Sequence, residues 1–140
     1  MQLVSKFIFL CMSQFFSFGM IYAQTSDGFI ITNRSLTITM DDAIDIFKGQ
    51  KQLVGSVKVA PVDNTSAQNN FLSKVLGISV AQYNVLWSKA SFGDGLSKPG
   101  VKNTDAEIIE AVKSTPGGVG YVTTKPGDDV KVVGKFSENE

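Results

Sequence analysis

The only cysteine of the chain, Cys11, lies inside the apolar run that opens it, and histidine is absent. These two facts constrain the fold more than any other feature. No disulfide can form within one chain, and no histidine-ligated metal can staple the structure. A domain downstream of Cys11 must be held by its apolar core alone. The missing histidine also excludes Ser-His-Asp and Cys-His catalysis. A length of 140 residues suits one domain. The hydrophobic share of 43%, against 19% charged, is too apolar for a disordered chain. Lys and Arg number 13 and Asp and Glu number 13, so the basic excess that a nucleic-acid surface needs is missing.

Residues 1–23 carry the pattern of a secretory signal. Lys6 is the only charge before Asp27. An apolar run begins at Phe7-Ile8-Phe9-Leu10 and continues to Tyr22, and Ala23 closes it before polar Gln24-Thr25-Ser26. A retained membrane anchor is the competing reading, but the run is short for a span and is interrupted by Ser13, Gln14 and Ser17. Leu10 stands where a lipoprotein signal wants a small residue, so Cys11 belongs to the signal. The expectation is a signal peptide over 1–23 and one domain over 24–140. That domain is periplasmic or secreted and has no membrane span after cleavage. Loss of Lys6 leaves one acid in excess. No GxxxxGK[ST] nucleotide loop is present.

The domain alternates strand and helix signals. Phe29-Ile30-Ile31-Thr32 reads as a buried strand. Thr39 caps a helix from Met40, with Asp41 and Asp42 in its first turn. Met40, Ala43, Ile44 and Phe47 form its apolar face, and Gly49 takes the left-handed position after it. Val57 to Val62 reads as a second strand whose Pro61 end lies at an edge or leaves the sheet. Asp63-Asn64-Thr65-Ser66 is a cluster of capping residues. It precedes a helix with Phe71, Leu72, Val75 and Leu76 on one side, ending at Gly77. Ser79 and Gln82 form a capping box for a helix facing inward through Val80, Tyr83, Trp87 and Ala90. Phe92 to Gly100 reads as a flexible loop. Thr104 and Glu107 form another capping box, before Ile108, Ile109 and Val112. Gly120 to Thr123 and Val130 to Phe136 read as the last strands, with a Pro126-Gly127-Asp128-Asp129 reversal between them. The order β-α-β-α-α-α-β-β predicts an α/β fold, a mixed β-sheet covered by helices.

Three stretches carry a family resemblance. They are Ile46-Phe47-Lys48-Gly49, the polar turn leading to Phe71, and Thr115-Pro116-Gly117-Gly118-Val119-Gly120-Tyr121-Val122. Over roughly residues 28–125 the chain resembles the phosphate-binding, substrate-binding proteins of ABC transporters. The closer likeness is to short, single-lobe members of the type II periplasmic-binding-protein-like superfamily. The resemblance implies a single lobe of that kind and non-covalent binding of inorganic phosphate or a similar small oxyanion, linked to ABC-type phosphate uptake. It implies no enzyme activity, no cofactor and no metal. It places the anion at the turn Thr65, Ser66, Ala67, Gln68. There, either Thr65 or Ser66 supplies a hydroxyl, and the backbone of Ser66 to Gln68 supplies N–H groups at a helix start. The glycines of the family's turn are absent here, and Arg34 is the only arginine of the chain. Arg34 follows the first strand and is the cation assigned to the anion. A single lobe leaves one wall of the site open, for a homodimer or an envelope protein partner to supply. The alternative is a ligand-free protein–protein interaction or sensor-accessory module on the same fold.

Other chemistry-bearing residues read as structural. Thr65 and Ser66 serve as helix caps by default, and Asp63 as a hydrogen-bond acceptor. Gly93, Asp94, Gly95, Ser97 and Lys98 form a solvated loop, although this loop, or Lys89, could bring a positive charge to a ligand. Asp41, Asp42 and Asp45 lack the alternating oxygens of a calcium loop. Gly117, Gly118 and Gly120 serve the turn and close backbone packing, because no helix starts there to cradle phosphate.

Overall fold

The apolar run before Asn33 forms the middle of a sheet. In the computed structural model, which describes residues 27–137 and Gly19, β1 spans Asp27–Asn33 and is buried from Gly28 onward. The signal expected over 1–23 lies, apart from Gly19, outside the described residues. Successive side chains of a strand face opposite sides. Ile30 therefore points into one apolar cluster, and Phe29 and Ile31 into a second on the other face. A strand buried on both faces needs helices above and below it.

The remaining elements supply that cover. They are α1 (Met40–Phe47), β2 (Leu53–Val54), β3 (Val57–Lys58), β4 (Ala60–Asn64), α2 (Gln68–Phe71), α3 (Val80–Gly93), β5 (Gly100–Lys102), α4 (Asp105–Ser114), β6 (Gly118–Val122) and β7 (Val130–Ser137). The five-stranded sheet runs β5-β4-β6-β1-β7. β4 is parallel to β5 and to β6, and β1 is antiparallel to β6 and β7. α1, α2 and α3 pack over one face around Phe47, Phe71, Tyr83 and Trp87, while α4 covers the other through Ile108 and Val112. This is the mixed sheet covered by helices that the sequence predicts.

The capping signals at Thr39 and Ser79 hold. Each side chain accepts from the backbone N–H three residues on, and Asp42 and Gln82 complete the boxes. The box at Thr104 is only half formed. Thr104 accepts from the Glu107 N–H, but the Glu107 carboxylate reaches Asn103 N–H instead. In α1 the buried residues are Ala43, Ile46 and Phe47, with Met40 and Ile44 half-buried, because the helix packs against both the sheet and α3.

Three expectations are corrected. The strand expected over Val57–Val62 is two: β3 pairs with β2 in a hairpin turning at Gly55, and Val59 N–H donates to Gln52 O before β4 begins. β4 is an interior strand, and Pro61 is tolerated there for a local reason. Ala60 N–H donates to Gly117 O on the β6 side, so residue 61 faces the β5 side, where pairing starts only at Val62. The helix expected from the capping cluster to Gly77 is a single α-turn, α2, that widens into a π-turn over Leu72–Leu76. The widened turn keeps Phe71, Leu72 and Leu76 all buried before Gly77 ends it in the left-handed region.

The Gly-rich run before and within β6 is a packing device. A Cβ on Gly117 would sit 1.9 Å from the Lys58 carbonyl oxygen, and one on Gly118 would sit 2.8 Å from the Val112 Cα. These glycines let β3 and α4 close onto the strand. Gly117→Ala is therefore expected to cost about 1–3 kcal/mol by overpacking. Gly127→Ala, whose Cβ would meet nothing within 4 Å, should leave stability nearly unchanged. Urea unfolding of the two variants checks the contrast.

Candidate functional site

β4 ends in two consecutive polar residues that are fully buried, Asp63 and Asn64. Strand alternation sends them to opposite faces. On the α3 side, the Asp63 carboxylate accepts from Tyr83 Oη at 2.8 Å and from Tyr121 Oη at 2.9 Å. Burial pushes this carboxyl above its ordinary value, only partly offset by the two tyrosine hydrogen bonds and the charge of Lys98. Both phenols are pushed up in turn, first by burial and then by the Asp63 charge.

Asn64 works on the other side. Its amide donates to Asp105 Oδ1 at 2.8 Å and to Tyr121 O at 3.1 Å. Its carbonyl oxygen accepts from Ser66 N–H at 3.1 Å and Ser66 Oγ at 2.6 Å, which closes the chain into an Asx turn. Asp105, in the first turn of α4, also accepts from the backbone and hydroxyls of Thr123 and Thr124. Burial alone would raise its pKa, but these hydrogen bonds outweigh it and hold the carboxyl below its ordinary value.

These bonds lie outside the carboxyl ends of β4 and β5, where an open α/β sheet forms its crevice. α2 leaves β4 toward one face and α4 leaves β5 toward the other, so the two helix starts diverge from neighbouring strands. Open α/β sheets take ligands at such switch points. Thr65 N–H donates to Lys102 O at 3.0 Å and Thr65 Oγ1 to Asn103 Oδ1 at 3.1 Å, which joins the two lips. Thr65 and Ser66 are exposed, Gln68 is half-buried and Ala67 is buried. The first N–H groups of α2 have no acceptor within the helix, as at any helix start. Amide side chains of Gln68, Asn69 and Asn103 and the exposed Lys102 complete the surroundings. Such a surface offers donors and one cation. Among the described residues it holds no nucleophile beside a base, and no group of three His, Cys, Asp or Glu could hold a metal ion.

The structure brings Thr65, Ser66, Ala67 and Gln68 together and leaves Arg34 apart. β1 runs antiparallel to β6 and β4 parallel to it, so Arg34 and Thr65 lie at opposite ends of the sheet. About six residues of strand rise separate them, roughly 20 Å. Arg34 donates instead to the Asp128 carbonyl in the β6–β7 turn. Thr65 and Ser66 also do not cap α2. Ala67 occupies the cap position with no side-chain hydrogen bond, because Asn64 has already captured Ser66, and Asn103 has captured Thr65. Lys102 and Asn103 were missed at the sequence level. β5 is three exposed residues beginning with glycine, and it has no apolar periodicity to reveal it. The Thr104 cap was the one visible signal that a helix starts nearby.

No protein-family model matches this sequence. No curated protein matches it either. Among solved structures, the chain is similar to the crystal structure of an ABC-type phosphate transport receptor from Vibrio cholerae, with a TM-score of 0.46 and 18% identity. The match covers 76% of this chain and 44% of that one, so the chain spans less than half the length of the receptor. Among the described residues no helix is long and apolar enough to cross a membrane.

The two carboxyls give opposite pH signatures. Asp63 binds its proton more tightly in the folded state, so its contribution to stability declines as pH rises from 3.8 through its raised value. Asp63→Asn should flatten the fall in unfolding free energy as pH rises above 3.8. Asp105 behaves conversely. Its contribution is present above 3.8 and is lost as pH falls from there through its lowered value. Asp105→Asn should destabilise the protein at neutral pH, and the gap to the parent protein should narrow on acidification. Urea titrations at stepped pH read both effects.

Proposed function

We propose that this chain is an extracytoplasmic solute-binding-like domain that holds phosphate or a similar small oxyanion non-covalently, at the crevice formed by Thr65, Ser66, Ala67 and Gln68. The observation that carries the reading is the switch point. Two helices start from neighbouring parallel strands and diverge to opposite faces, with the N–H of Gln68 at the start of α2, while the N–H groups of Ser66 and Ala67, expected as donors to the anion, are held by Asn64. The resemblance of the Thr115–Val122 run and of Ile46–Gly49 to phosphate-binding proteins supports the same reading. So does the signal pattern of residues 1–23, which points to a periplasmic or secreted protein. Lys102, at the lip of the crevice, replaces Arg34 as the cation of the site. The reading is of a binder linked to phosphate uptake and not of an enzyme.

A second reading has its own support. The hydroxyls of Thr65 and Ser66 are engaged by Asn103 and Asn64, and the crevice is open on its outer side. A module that meets an envelope protein, or a second copy of itself, through this face needs no free anion.

Thermal unfolding in phosphate, sulfate and chloride at matched ionic strength separates the two. A ligand that binds only the folded state adds about 2.7 kcal/mol at a hundred times its Kd. The binding reading expects a phosphate-specific rise in Tm. Thr65→Ala/Ser66→Ala and Lys102→Ala should reduce it, and Arg34→Ala should leave it unchanged. Equal melting in the three salts selects the interaction module.

A further inference from the structure

The loop after α3 takes no part in the Thr65–Gln68 crevice, yet it walls a cavity of about 360 Å³. That volume falls within the roughly 300–1,000 Å³ of small-molecule sites. The cavity lies at the amino ends of β4 and β5, so it is at the opposite end of these strands from the crevice. Val59, Pro61, Trp87 and Leu96 give it an apolar interior. Trp87 is buried behind this floor and its indole N–H is already spent on Phe47 O at 3.0 Å, so it offers no donor, and the half-buried Pro61 and Leu96 supply the open apolar surface.

The rim is cationic. Lys51, Lys58 and Lys98 line it against a single carboxylate, Asp94. Lys51 is paired with Asp42 at 2.6 Å. Lys98 donates only to the neutral amide of Asn84, at 3.0 Å, and Lys58 makes no ion pair among the described residues. Neither ammonium group makes an ion pair among the described residues, although Lys98 lies near enough to Asp63 for its charge to act on that carboxyl.

We propose that this cavity binds a small organic carboxylate with an apolar body. The body lies against Pro61 and Leu96, over the buried Trp87 ring, and the carboxylate meets Lys58 and Lys98. Inorganic phosphate has no apolar body to bury there, so the site is separate from the crevice and does not depend on the reading given for it. The loop Asp94–Pro99 closes the side of the cavity, turning at Gly95, which has a positive φ of 65°.

Trp87 is the only tryptophan of the chain, so its fluorescence reports entry directly. Benzoate is the probe, and benzamide is its uncharged counterpart of nearly the same shape. Benzoate should change Trp87 emission saturably, and benzamide should bind at least about tenfold more weakly. Lys58→Ala/Lys98→Ala, at two exposed positions, should weaken benzoate by about tenfold or more with an unchanged circular dichroism spectrum. Ser66→Ala should leave the benzoate titration unaltered. Absence of a saturable response overturns the proposal. Equal response to benzamide, or indifference to the double substitution, overturns it as well.

Discussion

Two buried polar side chains in sequence, Asp63 and Asn64, hold the layers of this protein to one another. Asp63 reaches the α3 face, where Tyr83 and Tyr121 donate to it, and Asn64 reaches the α4 face, where Asp105 accepts from it. A polar group without a partner at either place would cost the full penalty of desolvation. Each therefore fixes the position of a helix, and among the described residues no buried side-chain nitrogen or oxygen is left without a partner. Tyr121 serves both ends of the arrangement. Its hydroxyl meets Asp63, its carbonyl meets Asn64, and its ring stacks on Phe71 at 3.9 Å.

Close backbone approach does the rest of the work in a chain without a disulfide. The run Gly117 to Gly120, before and within β6, admits the Lys58 carbonyl on one side and the Val112 and Ile108 turn of α4 on the other. At the far side of the core, Trp87 donates to the last residue of α1, Phe47, and its ring covers Gly49. The two runs that resemble a binding-protein family are thus packing elements. They hold the sheet and α1 in place, and the polar chemistry lies elsewhere.

That chemistry is divided between the two ends of the parallel strands. At the carboxyl ends, the Asx turn of Asn64 and the diverging starts of α2 and α4 present donors to solvent. At the amino ends, the loop after α3 encloses apolar surface beneath Lys58 and Lys98. Strand direction separates the two, and the same rule keeps Arg34 away from the Thr65 turn.

The sequence by itself determined the helices and the long strands β1, β6 and β7 in their order, most of the caps and the identity of the core, but not β2, β5 or the split between β3 and β4. Apolar periodicity, Gly after helices and Ser or Thr before them are local signals, read within one or two turns of chain. Tyr83 and Trp87 were legible as core for that reason, and so were the packing glycines. The tertiary structure alone decided what Asp63-Asn64-Thr65-Ser66 does. Locally the run looks like a helix cap, because these side chains cap whenever nothing better is near. In the fold, Tyr121, Asp105 and Asn103 offer partners from residues tens of positions away, and those bonds win because they satisfy groups that burial has stripped of water. Strand pairing likewise decided that β5 exists and that Arg34 stands at the wrong end of the sheet for Thr65. Neither follows from spacing along the chain, since antiparallel and parallel neighbours reverse which ends meet.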